Sequence, residues 1–271
     1  MSRPLWFVNL IKRFFPGRFL LAKLTRVPIL GAILEYLMFE GDNIIYLPKD
    51  NVIRLNRSLD APDNMVLPTQ VVEHFIRQAR YHWIMNVCIC RDAMQCKDYP
   101  IDLGCLFLGE AVLNINPELG RRVTKDEALE HIRRCREAGL VHLIGRNKLD
   151  TLWLGVGPGN KLLTICHCCP CCCLWRMLPH LNCSINRNVT SMPGVTVTVN
   201  ERCTGCGICA ENGCFLDAIH IENGRAVKSD ACRGCGRCVE ICPNQAIDLV
   251  IDPEVAIEKS IRRISLLVDV S

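Results

Sequence analysis

Apolar positions along the chain follow two periodicities. Ile44–Leu47 and Val52–Leu55 are short β-prone runs between Asp, Asn and Pro punctuation, and they predict strands. After Pro68, the residues Val71, Val72, Phe75, Ile76, Ala79 and Trp83 recur at helical spacing. A better-marked helix begins at Thr124, which forms a capping box with Glu127 and ends before Gly139. Ala128, Leu129, Ile132 and Cys135 form its inner face, with Cys135 read as a small buried apolar residue. Leu140–Ile144 and Leu162–Ile165 read as strands on either side of a polar, Gly-rich stretch. Within that stretch Gly155–Lys161 lacks phosphate-loop spacing, and Pro158 removes a backbone donor, so it is read as a turn. Val195–Val199 alternates like a strand. Asn223-Gly224 marks a hairpin between Ala218–Ile221 and Ala226–Val227, and Asp252-Pro253 opens a last helix.

The first 40 residues break this order. They hold seven of the 16 aromatic residues, yet Lys12, Arg13, Arg18, Lys23 and Arg26 interrupt every apolar run. No charge-free stretch here exceeds the eight residues of Val27–Leu34, far fewer than the ~20 that cross a bilayer. Pro16 and Pro28 divide the segment into short helices, and no cleaved leader is read. Basic residues among Trp and Phe suit a membrane surface or a partner subunit. A helix packed on the chain's own core is the competing expectation.

Charge narrows the partners. The formal net charge is +4, and the excess lies in the first 40 residues; the remainder is neutral. Helix, strand, loop, strand over 124–165 is the order of a winged-helix module, and Arg133, Arg134 and Arg136 lie on its helix. No wider basic surface accompanies them, so a solvated charged face is expected and no nucleic-acid partner.

Cysteine is the compositional anomaly, 20 in 271 residues. Residues 1–87 have none. Cys88, Cys90, Cys96 and Cys105 form one group. Cys166, Cys168, Cys169, Cys171, Cys172 and Cys173 form another, and eight more lie between 203 and 242. Tight runs without a secretory leader are metal ligands before they are disulfides, which places the chain in a reducing compartment: cytoplasmic, with the inner membrane face as a possible site. Cys183 carries no motif and is read as structural.

The last group is an internal repeat. Cys203, Cys206 and Cys209 are followed by Cys214; Cys232, Cys235 and Cys238 are followed by Cys242-Pro243. Each half continues as C-x-x-x-A-I, with a period of 28–29 residues. Over roughly 194–252 this resembles the bacterial two-cluster ferredoxins. Three thiols at i, i+3 and i+6 wrap three corners of an iron cube, and the fourth must come from elsewhere. The resemblance implies two 4Fe–4S clusters with exchanged fourth ligands: Cys203, Cys206, Cys209 and Cys242 on one, and Cys232, Cys235, Cys238 and Cys214 on the other. Gly205, Gly207, Gly234 and Gly236 would let main-chain N–H groups approach sulfur. The first half departs from the pattern, with four residues before Cys214 and Phe215 in place of Pro.

The ten upstream thiols are enough for one or more additional iron–sulfur clusters, with zinc or reactive thiols as the other readings. Their order resembles ferredoxin-like proteins of anaerobes: a C-x-C-R segment, a helix ending in Ala138–His142, a C-x-C-C-x-C-C-C run and a two-cluster ferredoxin. That resemblance implies metal content rather than a reaction. Asn often stands where His167 stands, so it does not make His167 a ligand.

The reading is an α+β protein. A basic apolar segment spans 1–40 and a helical Cys-rich domain with a small winged-helix-like β element spans 41–190. A ferredoxin-like domain occupies 191–252 and a C-terminal helix 253–271. The expected function is electron transfer to a redox partner protein or oxidoreductase subunits. An iron–sulfur enzyme centred on 88–173 is the alternative, and a redox-sensing winged-helix regulator the third reading.

Overall fold

The computed structural model describes residues 2–55 and 68–271, and the described residues form ten α-helices and twelve strands. Three helices come first: α1 Leu5–Phe14, α2 Arg18–Leu24 and α3 Leu30–Met38. Strands β1 Asn43–Tyr46 and β2 Ile53–Leu55 follow, then α4 Thr69–Gln78, β3 His82–Met85, α5 Ile89–Ala93, β4 Leu106–Leu108 and β5 Gly120–Val123. Next are α6 Lys125–Glu137, β6 Val141–Arg146, α7 Lys148–Leu154, β7 Leu163–Cys168, α8 Cys183–Arg187 and β8 Val189–Ser191. The C-terminal part holds β9 Thr196–Val199, β10 Ile219–Glu222, β11 Arg225–Lys228, α9 Arg237–Ile241, β12 Ile247–Ile251 and α10 Pro253–Ser265. The strand-and-loop reading of 41–67 lies outside the described residues beyond Leu55.

The middle of the chain is built on a sheet. Seven strands pair in the order β5-β3-β4-β7-β6-β1-β8, antiparallel except for β1 beside β8. Alternation sends successive side chains to opposite faces. Ile45, Leu106, Leu108, Ile144, Leu163 and Ile165 bury one face under α4, α6 and α10. Ile44, Tyr46, Val141, Leu143 and Cys168 bury part of the other face, with Ala22 of the N-terminal helices and Trp175 packed against them.

Three sequence expectations need correction. The winged-helix-like element is not a small hairpin. Its two strands, β6 and β7, pair inside the seven-stranded sheet, with β7 the central strand, and α7 occupies their connection. The domain is therefore a sheet covered by helices on both faces rather than a helical unit. Local order was read correctly there, but neighbours in the sheet come from distant parts of the chain. Trp83, placed on a helix by spacing, lies in β3 after α4 ends at Gln78. Its Cβ direction serves the opposite sheet face, in the cluster with Val8, Phe107 and Leu154. Cys183 is exposed rather than part of a core.

Other local readings hold. Thr124 and Glu127 make the reciprocal capping box of α6, and Cys135 is wholly buried. The arginines of α6 face carboxylates of this chain: Arg133 pairs with Glu130 and Glu137, Arg134 with Asp102, and Arg136 with Asp50. Asn223 and Gly224 both take left-handed backbone in the β10–β11 turn, and Asp252 caps α10 through its carboxylate.

The N-terminal helices lie on their own chain. Val8, Phe15, Arg18 and Ala22 are buried, and Lys12 pairs with Asp92 at 2.7 Å. Their outer side stays apolar and exposed, with Trp6, Phe14, Leu20 and Ile29 turned outward. Among the described residues no helix is long and apolar enough to cross a membrane.

The C-terminal module is stitched to the main body twice. β12 pairs with β9 on one side and with β2, in parallel, on the other. After it, α10 returns to the main sheet, where Ala256, Ile264, Val268 and Val270 join the core under α4.

Candidate metal centres

Eight cysteines of the C-terminal module line two cavities. Cys203, Cys206, Cys209 and Cys242 open on one. Cys214, Cys232, Cys235 and Cys238 open on the other. Each cavity thus draws three thiols from its own loop and one from the opposite half. Main-chain N–H groups face the sulfurs in a repeated way. Ala218 donates to Cys214 at 3.3 Å and Ala246 to Cys242 at 3.2 Å, in each case from the main chain four residues after the cysteine. Ala226 donates to Cys203 at 3.3 Å and Gly234 to Cys232 at 3.4 Å. Such donors stabilise thiolate and metal-bound sulfur.

Gly205, Gly207, Gly234 and Gly236 all have positive φ, between 64 and 82°. Gly205, Gly234 and Gly236 are also fixed by crowding; a Cβ on Gly234 would stand 2.6 Å from Val195 Cγ1. A Cβ on Gly205 would stand 2.3 Å from the Gly224 carbonyl oxygen, and one on Gly236 would stand 2.4 Å from Val52 Cγ2. The extra residue of the first half is absorbed as a π-helical turn over Cys209–Gly213, where the second half has the regular helix α9. Burial pushes the Cys235 thiol up to about 12, while N–H donors from Ala226 and Gly205 hold Cys203 below the usual thiol range.

The upstream cysteines separate into two sets. Cys88, Cys90, Cys105, Cys166, Cys168 and Cys173 line an apolar cavity of about 690 Å³ between the sheet and the N-terminal helices. β7 explains part of this: Cys166 and Cys168 share one face of the strand and His167 takes the other. Cys105 lies 3.9 Å from Cys166 through sulfur. The roof comes from Phe7, Phe14 and Phe15 of the N-terminal helices. The neighbouring thiols, Cys166 at Cys105 and Cys173 at Cys168 against an opposing Cys166, together with burial push Cys105 and Cys168 well above the usual range, whereas the Cys90 thiol and the Arg91 guanidinium hold Cys88 below it.

Two arginines supply positive charge here. Arg91, of the C-x-C-R segment, has no exposed surface. Its Nε donates to the Pro100 carbonyl and one Nη to that of His167, both at 2.7 Å, and the other Nη donates to Leu103. Burial alone would lower its pKa. The thiols of Cys88, Cys169, Cys105 and Cys168, taken as thiolates, more than offset that, so the net shift is upward. Arg18, from the first helices, is buried over the rings of Phe15 and Phe19 and faces Cys90 and Cys173. Its pKa is lowered, by burial first.

The second set is Cys96, Cys169, Cys171 and Cys172, whose sulfurs all lie within 4.8 Å of one another. Cys169 also borders the large cavity. On the other sheet face, His131, Cys135 and His167 form a third close group. His131 Nε2 donates to the Gly104 carbonyl at 2.8 Å, which commits that nitrogen to a proton. His142 and His167 share a hydrogen bond between their Nδ1 atoms at 2.9 Å, and burial keeps both neutral, His142 at about 3.

Spacing alone did not reveal Tyr46. It reads as an ordinary residue of a β-prone run, yet its ring lines the cavity of Cys214, Cys232, Cys235 and Cys238. Its hydroxyl is wholly buried without a hydrogen-bond partner among the described residues, and burial first, then Cys173, Cys168 and Cys235, pushes its pKa well up. An orphaned buried donor between two thiol groups fits anionic sulfur beside it. Arg18 was legible only as surface charge, because nothing in the sequence places residue 18 beside residue 173.

Residues 226–248 match the 4Fe-4S binding domain family. No curated protein and no solved structure matches the chain. The match and the cysteine groups identify an iron–sulfur protein with a site for at least one 4Fe–4S cluster.

Replacing Arg91 with Met removes the buried charge and strands three carbonyls. Denaturant unfolding under anaerobic conditions is expected to show a loss of about 3–5 kcal/mol; a loss under about 1 kcal/mol would contradict the role given to Arg91.

Proposed function

We propose that the protein carries single electrons through two 4Fe–4S clusters and a third thiol-held centre to a partner oxidoreductase. One cluster would take Cys203, Cys206, Cys209 and Cys242, and the other Cys214, Cys232, Cys235 and Cys238. A bound cluster of this type takes up and returns one electron. The chain's own residues hold the thiols, supply N–H donors to sulfur and keep water from the path.

One observation carries this reading. Cys214, Cys232 and Cys235 of the module pack in the same apolar cluster as Cys166, Cys168 and Cys173 of the large cavity, with Tyr46 and Phe215 in that cluster too. The rings of Tyr46 and Phe215 stand 6.1 Å apart, edge to face. Thiols from sequence-distant halves thus border one continuous apolar region. The alternative is an iron–sulfur enzyme with its catalytic centre among the thiols of 88–173. The apolar cavity of about 690 Å³ is the observation in its favour.

The exposed apolar side of the first helices is assigned to an anionic bilayer surface. Ile29 is 81% exposed and Trp6 67%, and Arg13 and Lys23 are exposed on the same segment, which carries the chain's excess positive charge.

Two measurements test these readings. Anaerobically purified protein is expected to contain about eight or more iron atoms with matching sulfide, and to give a paramagnetic signal on reduction that a one-electron acceptor removes. Iron below about four atoms per chain would overturn the electron-carrier reading. In sedimentation with phosphatidylglycerol vesicles, the protein is expected to pellet at low salt and to be released by salt. Trp6→Glu with Ile29→Glu should weaken pelleting at least about tenfold. Protein that stays in the supernatant at low salt would overturn the membrane assignment and return this face to a protein partner.

A further inference from the structure

Four of the upstream thiols form a close group of their own, although Cys169 also borders the large cavity. We propose that Cys96, Cys169, Cys171 and Cys172 bind one mononuclear zinc ion in a closed tetrahedral site, separate from the iron–sulfur centres. This goes beyond the electron-carrier reading and does not depend on it.

Sulfur spacing is the first ground. Cys96 and Cys172 each approach Cys171 to 3.5 Å between sulfurs, and no pair in the set exceeds 4.8 Å. Four thiolates around one ion at a Zn–S distance of about 2.3 Å stand about 3.8 Å from one another, by the geometry of a tetrahedron. An iron cube sits between its thiolates and holds them farther apart. The two thiol sets of the C-terminal module are not among the groups that close within 4.8 Å among the described residues, although each lines a single cavity.

Local backbone is the second ground. The Cys172 N–H donates to Cys169 sulfur at 3.4 Å, and main-chain N–H groups of Asp98 and Tyr99 face Cys96 sulfur. Thiolates bound to a single ion need such donors, since two positive charges neutralise only half of four negative ones. Packing is the third. Cys169 and Cys172 are buried against Leu103, Cys135 and Leu140, with Tyr99 alongside. Cys96 and Cys171 are half-buried, but four protein thiolates fill the coordination sphere of a tetrahedral ion and leave no ligand position for water or substrate, which is the mark of a structural ion. An all-sulfur tetrahedron without redox demand suits Zn²⁺.

The site has a mechanical consequence. Cys96 follows α5, and the other three ligands follow β7, so one ion would tie two segments 73 or more residues apart in sequence. The Tyr99 ring beside it stands 5.9 Å from the Arg237 guanidinium of α9. The ion would therefore brace the surface on which the C-terminal module rests.

The test uses the full-length protein purified anaerobically with its metals. Elemental analysis is expected to give about one zinc per chain, and zinc-edge X-ray absorption to give four sulfur neighbours at about 2.3 Å. Cys96→Ser should lower zinc at least fivefold while iron, sulfide and the paramagnetic signals of the reduced clusters stay unchanged. Absence of zinc from the unsubstituted protein would overturn the proposal, as would a Cys96→Ser protein that loses iron. The absorption measurement needs no variant, so a poorly folding substitution does not protect the idea.

Discussion

Each cavity of the C-terminal module takes three thiols from one loop and a fourth from the other half of the repeat, and the rest of the molecule is arranged around that exchange. Cys242 must reach the loop of Cys203–Cys209, and Cys214 the loop of Cys232–Cys238. Left-handed glycines, alanine N–H donors at the fourth position and the β12 strand all serve this crossing. β2 and α10 extend it by tying the module to the seven-stranded sheet.

Sulfur also dictates where the buried polar groups go. A set of thiols in an apolar interior needs positive charge and hydrogen-bond donors nearby, or the anionic forms are too costly. Arg91 supplies charge from beneath the large cavity and Arg18 from its roof. The Tyr46 hydroxyl lies between that cavity and the module. This gives the N-terminal helices two faces with different tasks. Their inner side closes over thiols, and their outer side stays apolar.

What could be read from the residues divides along physical lines. Capping at Thr124, the Asn223-Gly224 turn and the Asp252-Pro253 helix start are local signals, and each is found where it was read. The repeat itself was legible from spacing, but the exchange of its fourth thiols was implied only by the resemblance to two-cluster ferredoxins. The separation of Cys96, Cys169, Cys171 and Cys172 from the other six was not, since adjacent cysteines in the 168–173 run point in different directions. The seven-stranded sheet was missed for a related reason. β6 and β7 announce themselves as strands, but their neighbours β1 and β4 are set by long-range packing that periodicity does not carry. Trp83 shows the same limit, because an apolar residue at helical spacing also fits a strand that starts a few residues on.

The exchange of the fourth thiol is tested most directly by paired substitutions read through paramagnetic resonance on the reduced, anaerobically prepared protein. Cys242→Ser is expected to alter the cluster proposed at Cys203, Cys206 and Cys209, and Cys214→Ser the cluster proposed at Cys232, Cys235 and Cys238. Signals can be assigned by combining each change with Cys206→Ser or Cys235→Ser. If Cys242→Ser instead perturbs the cluster of its own half and leaves the other untouched, the crossed arrangement is wrong.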